Sequence, residues 1–176
     1  MRGLVKNTRK TECDAICSTQ EIAVRAAPFA LLIALGNRFR RDDGVAHVVL
    51  DRLGSVCEAE SRSLLQLTPE VAEEIAGYET VIFIDSDTRA AGVSIEPLDE
   101  PSSPPLFTHV ARPAEVIEVS KALFGFAGRA FLCRIPVDDL SPGEGLSGHA
   151  SAFAAQAAGM LEIWLSGLRV ERHGGI

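Results

Sequence analysis

The sequence predicts an α/β fold, a three-layer α/β/α sandwich in which helices cover both faces of a twisted, mostly parallel sheet of about five strands. Continuous apolar runs such as residues 29–35, FALLIAL, are typical of parallel strands buried on both faces. These runs alternate with segments of helical periodicity such as Val45–Leu53. The 176 residues suffice for one core of this kind and are too few for two. We therefore expect a single domain over residues 28–176, preceded by a poorly structured extension at residues 1–27.

The next predicted elements are a strand, a short helix and a second apolar strand. Residues 62–67, RSLLQL, predict the strand. Thr68 as N-cap and Pro69 at the first helical position predict a helix that Gly77 ends. Residues 80–84, TVIFI, are β-branched and apolar, and they predict a third buried strand that leads into Asp85-Ser86-Asp87.

An edge strand and a loop follow in the middle of the chain. Residues 92–98 alternate loosely in polarity, and Pro97 favours the edge of the sheet because proline cannot donate to a ladder. Residues 99–106, DEPSSPPL, are proline-rich and predict a surface loop.

The last predicted elements are a helix, a strand and a long helix. The pattern of Pro113–Phe124 predicts a helix that ends at Gly125. Residues 130–135 predict the last strand. Ser147 can cap a final helix that extends to Leu165.

The composition argues against several classes of protein. A hydrophobic content of 47% argues against disorder, and a net charge of −7 argues against a nucleic-acid partner, because phosphate binding needs a basic surface. No apolar run reaches the roughly 18 residues of a membrane span, and no apolar segment follows the basic residues near the N-terminus. We expect a cytoplasmic monomer without membrane contact.

The four cysteines form no recognisable metal or disulfide pattern. Cys57 and Cys133 have apolar neighbours, which predicts small core residues. Cys13 and Cys17 have the spacing of one helical face, but no histidine or further cysteine lies nearby to complete a zinc site.

Two carboxylates and one imidazole follow strands of the predicted sheet. Asp43 follows the first strand, Asp85 follows the third, and His109 precedes the next helix. In a doubly wound sheet the first and third strands are neighbours where the strand order reverses, and ligands bind at that crevice. We therefore expect Asp43 and Asp85 to face each other there, with His109 completing a divalent-metal site.

Four segments, in order, resemble the hydrogenase maturation endopeptidases. GNRFRRDDG at residues 36–44 resembles the family's N-terminal motif, and VIFIDSD at 81–87 resembles the strand that ends in an aspartate. LFTHVARP at 106–113 resembles the Thr-His segment before a helix. RAFLCRIPVDDLSPGEGLS at 129–147 resembles the late strand and its GxGLS element. The resemblance covers nearly everything from about residue 30 to 165.

The resemblance implies a specific activity. These peptidases remove a short C-terminal extension from the large-subunit precursor of a nickel–iron hydrogenase after nickel insertion. They use no serine or cysteine nucleophile. Two acidic residues and a histidine contact the nickel that the precursor already holds, and these correspond here to Asp43, Asp85 and His109. The implied enzyme is a protease of the aspartyl or metal-dependent type, with nickel supplied by its substrate.

One departure from the family leaves the substrate open. Many members have a DGG[ST] segment where residues 66–69 of this chain are QLTP. Two alternatives therefore remain: a related peptidase acting on another metalloprotein precursor, and a non-catalytic α/β binding module.

Residues next to the predicted site have ordinary structural interpretations. We expect Gly36 to permit a close backbone approach, and Asp42 to cap the helix that begins at Gly44. Asp87 is interpreted as a turn residue. Ser147 is interpreted as a helix cap, because its GEGLS context lacks the GxSxG pattern of a nucleophile elbow.

Overall fold

A mostly parallel sheet forms the middle layer of the protein. The computed structural model describes residues 29–54, 59–98 and 111–174. Its strands and α-helices in chain order are β1 (Ala30–Leu35), α1 (Val45–Leu53), β2 (Ala59–Leu64), α2 (Val71–Ile75), β3 (Thr80–Asp87), β4 (Ser94–Pro97), α3 (Pro113–Phe124), β5 (Arg129–Pro136) and α4 (Gly148–Gly174), and a 3-10 helix, Arg41–Gly44, precedes α1. The strand order is β2-β1-β3-β5-β4, with only β4 antiparallel to its neighbour. Several predicted features lie outside the described residues: the extension at residues 1–27, the loop at 99–106, Cys13, Cys17, Cys57 and His109.

The two faces of the sheet bury two separate cores. Every residue of β1 is buried, and alternate side chains point to opposite faces because successive Cβ atoms alternate along a strand. Leu32 packs with α1 and α4 on one face, and Ile33 packs with α2 and α3 on the other. Cys133 lies in the first core, as predicted for a small apolar residue, and burial raises the pKa of its thiol to about 12. The predicted α/β/α sandwich is confirmed.

The second strand lies earlier than its apolar residues suggest. It is Ala59–Leu64, and not residues 62–67, because its pairing with β1 runs from Ala30↔Ala59 to Leu35↔Leu64 and ends where β1 ends. Leu67 does not continue the strand. It is 2% exposed and packs under the loop in the core on the α2 and α3 face.

The helix after β2 also begins later than predicted. The backbone N–H groups of Val71 and Ala72 donate to the carbonyl groups of Thr68 and Pro69, which form a turn ahead of α2. Thr68 and Pro69 therefore precede the helix and do not open it.

Other element predictions are close to the structure. Residues Pro113–Phe124 form α3, and Gly125 ends it with a φ of 71°, a left-handed conformation that glycine tolerates. The strand near Pro97 lies at the sheet edge, as expected. The last helix continues past Leu165 to Gly174, and Leu168 packs against the core within this extra length. No helix of the described ranges has the length and apolar character needed to cross a bilayer.

Candidate active site at the carboxyl edge of the sheet

The turn after β1 brings a carboxylate back over the end of its own strand. Gly36 follows β1 with a φ of 128°, which side-chain-bearing residues rarely adopt. A Cβ atom added at this position would overlap the backbone oxygen of Asp43. The predicted close approach at Gly36 is confirmed, and its partner is the backbone of Asp43 itself.

The loop holds the side chain of Asp43 with its own backbone. The N–H of Asn37 donates to Oδ2 of Asp43 at 2.9 Å. The side-chain Oδ1 of Asn37 accepts a hydrogen bond from the N–H of Phe39 at 2.9 Å, which closes an Asx turn. Asn37 therefore shapes the loop and also orients the carboxylate at its far end.

A serine joins the carboxylates of two neighbouring strands. The backbone N–H of Ser86 donates to Oδ1 of Asp85 at 2.8 Å, and its hydroxyl lies 3.2 Å from Oδ1 of Asp43. Strands β1 and β3 are adjacent and parallel, so Asp43 and Asp85 meet at the same carboxyl edge. The expected juxtaposition of these two residues is therefore present. Ser86 is in contact with both carboxylates. It was not predicted as a site residue, because its position directly after Asp85 is the only feature of the sequence that marks it.

The environment of Asp85 disfavours its charged form. Burial is the largest cause, and it raises the pKa of Asp85 from 3.8 to about 6. The negative charges of Asp43 and Asp87 raise the pKa further, whereas the Ser86 N–H and the Arg134 guanidinium lower it. A cation placed against this pair would offset both the burial and the repulsion between the carboxylates.

The carboxylate next to Asp43 has a different role from the predicted helix cap. Asp42 is fully buried, and it does not cap α1. It accepts hydrogen bonds from the N–H of Ser147 at 2.6 Å, the Ser147 hydroxyl at 2.9 Å and the N–H of Asp139 at 3.1 Å. Burial opposes its charge, but these hydrogen bonds outweigh burial and lower the pKa of Asp42. The prediction for Asp42 was wrong because its partners lie a hundred residues away in the chain.

The loop before α4 is fixed by this carboxylate. Ser147 accepts a hydrogen bond on its hydroxyl oxygen from the N–H of Ala150 at 3.1 Å, so it caps α4 as predicted. Because Ser147 also donates to Asp42, the cap and the loop that carries Asp43 are held together. The two adjacent aspartates therefore have different roles. Asp42 holds two loops together inside the protein, and Asp43 faces the crevice.

A buried histidine of α1 contacts the backbone of the turn at Gly36. Nε2 of His47, on α1, lies 2.8 Å from the carbonyl oxygen of Gly36. A carbonyl oxygen can only accept, so we assign the imidazole proton to Nε2. Nδ1 of His47 is buried and has no hydrogen-bond partner among the described residues. Histidine at this position holds the glycine turn against the first helix.

The residue two places after Asp85 is also tied to the sheet. Asp87 is the last residue of β3, and its Oδ1 accepts a hydrogen bond from the N–H of Arg89 at 2.8 Å, which closes the predicted turn. Its carboxylate also lies 3.3 Å from Nη1 of Arg134. A cavity of about 430 Å³ opens beside this pair, lined also by Arg89, Gly92 and the start of β4. A larger cavity of about 640 Å³ lies at the opposite edge, where the strands begin, away from both carboxylates.

The described residues supply two of the three predicted metal ligands. In the described ranges, no three histidine, cysteine, aspartate or glutamate side chains come together as a metal-binding group. Asp43 and Asp85 converge, and His109 lies outside the described residues. Oxygen ligands from two carboxylates are an incomplete set for a borderline metal such as nickel, which leaves positions for ligands from elsewhere.

Comparison with known proteins gives structural matches only. Neither a family model nor a curated protein sequence matches the chain. The hydrogenase maturation protease HycI from Thermococcus kodakarensis matches with a TM-score of 0.63 at 17% identity, over 79% of this chain and 93% of its own. The hydrogenase maturating endopeptidase HybD from Escherichia coli matches with a TM-score of 0.61 at 18% identity, over 83% and 93%.

A third match extends the same fold to another archaeal protein. The hydrogenase 2 maturation peptidase from a Thaumarchaeota archaeon matches with a TM-score of 0.56 at 21% identity, over 77% of this chain and 97% of its own. Matches at these identities establish a common fold. The protein therefore has the fold that its four sequence motifs predicted, and the Asp43–Asp85 pair lies at the carboxyl edge of that fold's sheet.

Proposed function

We propose that the protein is an endopeptidase that removes a C-terminal extension from the nickel-loaded large-subunit precursor of a nickel–iron hydrogenase. One observation carries the proposal: Asp43 and Asp85 converge at the crevice of a fold that the solved maturation peptidases share. In this proposal the nickel ion belongs to the substrate and marks a precursor that is ready for cleavage.

The carboxylate pair has the chemistry that a shared metal ion needs. Asp85 is half-buried near Asp43, and together they form a site of concentrated negative charge. Two carboxylates, joined in the proposal by His109, would bind a borderline metal weakly on their own. Thiolates on the precursor would complete the ligand set, so enzyme and substrate would hold one ion between them.

The chain's own residues orient the ligands and the peptide. The backbone N–H of Asn37 and the hydroxyl of Ser86 hold one oxygen each of Asp43, which fixes the plane of that carboxylate before the substrate arrives. The nickel of the precursor supplies Lewis acidity to an attacking water or to the scissile carbonyl. No side-chain nucleophile is required, which agrees with Ser147 being engaged as a helix cap.

The proposal is tested by processing of a nickel-loaded precursor with purified protein. Mass spectrometry of the large subunit should show loss of the extension with the wild type, and no loss with Asp43→Asn or Asp85→Asn. Glu162→Gln is the matched control, since it makes the same chemical change on an exposed position of α4. Processing by Asp85→Asn at the wild-type rate, or no processing by the wild type, would contradict the proposal.

A further inference from the structure

Two large apolar side chains are exposed at the carboxyl edge of the sheet, which also carries the carboxylate pair. Phe39 is 69% exposed in the loop after β1, and Leu65 is 65% exposed directly after β2. Strands β1 and β2 are neighbours and parallel, so both residues leave the sheet at the edge where Asp43 lies. The ends of the two strands are joined there, because the N–H of Gly36 donates to the carbonyl oxygen of Leu64 at 3.2 Å.

The backbone around Phe39 is fixed although its side chain is exposed. Its N–H donates to Oδ1 of Asn37 at 2.9 Å, and its carbonyl oxygen accepts from the N–H of Gly143 at 2.9 Å. The N–H of Arg41 donates back to the carbonyl oxygen of Gly143 at 2.9 Å. An aromatic ring presented on such a preorganised loop loses little further conformational entropy when it is buried by a partner.

One positive charge next to Phe39 has no carboxylate partner among the described residues. Arg38 pairs with Asp51, and Arg41 pairs with Asp139. The guanidinium of Arg40 is exposed and donates only through Nε, to the carbonyl oxygen of Leu140 at 3.2 Å, with no ion pair to a described residue. The exposed guanidinium of Arg40 therefore fits a partner with an acidic group at the same place.

We propose that Phe39, Leu65 and Arg40, named the Phe39 patch, form the surface on which the body of the substrate protein docks. This inference rests on the proposed function, and it names the part of the enzyme that selects the precursor. The partner surface is an apolar pocket that accepts the ring of Phe39, with a carboxylate facing Arg40, close to the metal that reaches Asp43 and Asp85. Aromatic and arginine side chains are the residue types that most often anchor protein interfaces.

The test measures binding and cleavage separately. The dissociation constant of the nickel-loaded precursor is determined for the wild type, Phe39→Ala and Phe39→Leu, alongside the processing rate at saturating precursor. Leu123→Ala is the matched control, since Leu123 is 73% exposed at the end of α3, away from the carboxyl edge. Thermal unfolding of each variant verifies that the fold is retained.

Phe39→Ala should weaken precursor binding about 10- to 100-fold, with a much smaller change in the saturated rate. Phe39→Leu should restore part of the affinity, and Leu123→Ala should bind like the wild type. Arg40→Gln should reduce the dependence of association on salt. Equal binding by Phe39→Ala and the wild type, or an equal loss with Leu123→Ala, would overturn the inference.

The outcomes separate this inference from the proposed function. Cleavage by the wild type with no effect of Phe39→Ala would refute the Phe39 patch and leave the peptidase intact. Binding that depends on Phe39 without any cleavage would refute the peptidase and leave the docking surface. A dimer of the protein that Phe39→Ala dissociates would show that a second copy covers the patch, which also overturns the inference.

Discussion

The hydroxyl of Ser86 lies 3.2 Å from Oδ1 of Asp43, although the two residues are separated by 43 positions in the chain. The backbone N–H of the same serine donates to Asp85. A single residue at the end of β3 therefore contacts both carboxylates with two different donors, and its hydroxyl can be removed while its backbone N–H stays.

Replacing Ser86 by alanine should slow processing about 10- to 150-fold, because a hydrogen bond to a charged group contributes roughly 1.5–3 kcal/mol. The hydrogen bond from the backbone N–H of residue 86 to Asp85 remains, so only Asp43 loses a hydrogen-bond donor. Ser86→Thr keeps the hydroxyl and should recover most of the rate. The measurement is the processing rate at saturating precursor, and a wild-type rate for Ser86→Ala would remove the serine from the site.

Asp85→Asn should make the protein more stable at neutral pH. Since the folded state raises the pKa of Asp85 from 3.8 to about 6, the folded protein binds the proton more tightly than the unfolded chain does. Stability of the wild type therefore falls as the pH rises from about 4 to 6, and asparagine avoids this loss of about 3 kcal/mol. Urea unfolding at pH 7.5 and pH 4 should show a stabilised variant at the higher pH and nearly equal proteins at the lower. A variant that is less stable at pH 7.5 would contradict the burial argument.

Gly36→Ala should destabilise the protein by about 2–4 kcal/mol and abolish processing, because the added Cβ collides with the Asp43 carbonyl at a φ of 128°. Gly125→Ala is the control for the φ effect alone. Gly125 has a φ of 71° in the left-handed α region, and a Cβ added there would meet no heavy atom of the described residues within 4 Å. That control should cost only about 1–2 kcal/mol and retain activity. Equal losses in the two variants would show that the contact with Asp43 is unimportant.

Asp42→Asn should cost about 2–4 kcal/mol, because an amide cannot accept all the hydrogen bonds that the buried carboxylate receives from Ser147 and Asp139. Asp43→Asn should cost less than about 1 kcal/mol, since its side chain is half-buried and faces the crevice. Urea unfolding of both variants compares the adjacent aspartates. Similar losses at the two positions would contradict the division between a structural and a site carboxylate.

Local sequence patterns predicted the helices and strands whose ends are determined by residues at those ends. The start of α3 at Pro113 and its end at Gly125 could be predicted, because each of these residues favours a particular backbone conformation by itself. The boundaries of β2 could not be predicted from local patterns. Its polar sequence AESRSL pairs with β1 on one side only, and that partner sets its register. The predicted strand extended to Leu67 because a buried apolar residue under a loop cannot be distinguished from a strand residue by sequence alone.

The site was predictable in outline and not in detail. Strand order alone places Asp43 and Asp85 at one crevice, which is why topology was enough to bring them together. The roles of Asp42 and Ser86 depend on contacts with distant segments, which no local pattern records. The participation of His109 and of nickel stays a prediction.

The central claim is that the Asp43–Asp85 pair meets nickel held by the substrate. It is tested most directly by giving the wild-type protein, stripped of metal beforehand, two forms of one hydrogenase large-subunit precursor, one nickel-loaded and one nickel-free. The account predicts cleavage of the nickel-loaded precursor and none of the nickel-free form, with both left intact by Asp85→Asn. Equal cleavage of the two forms by the wild type would contradict it.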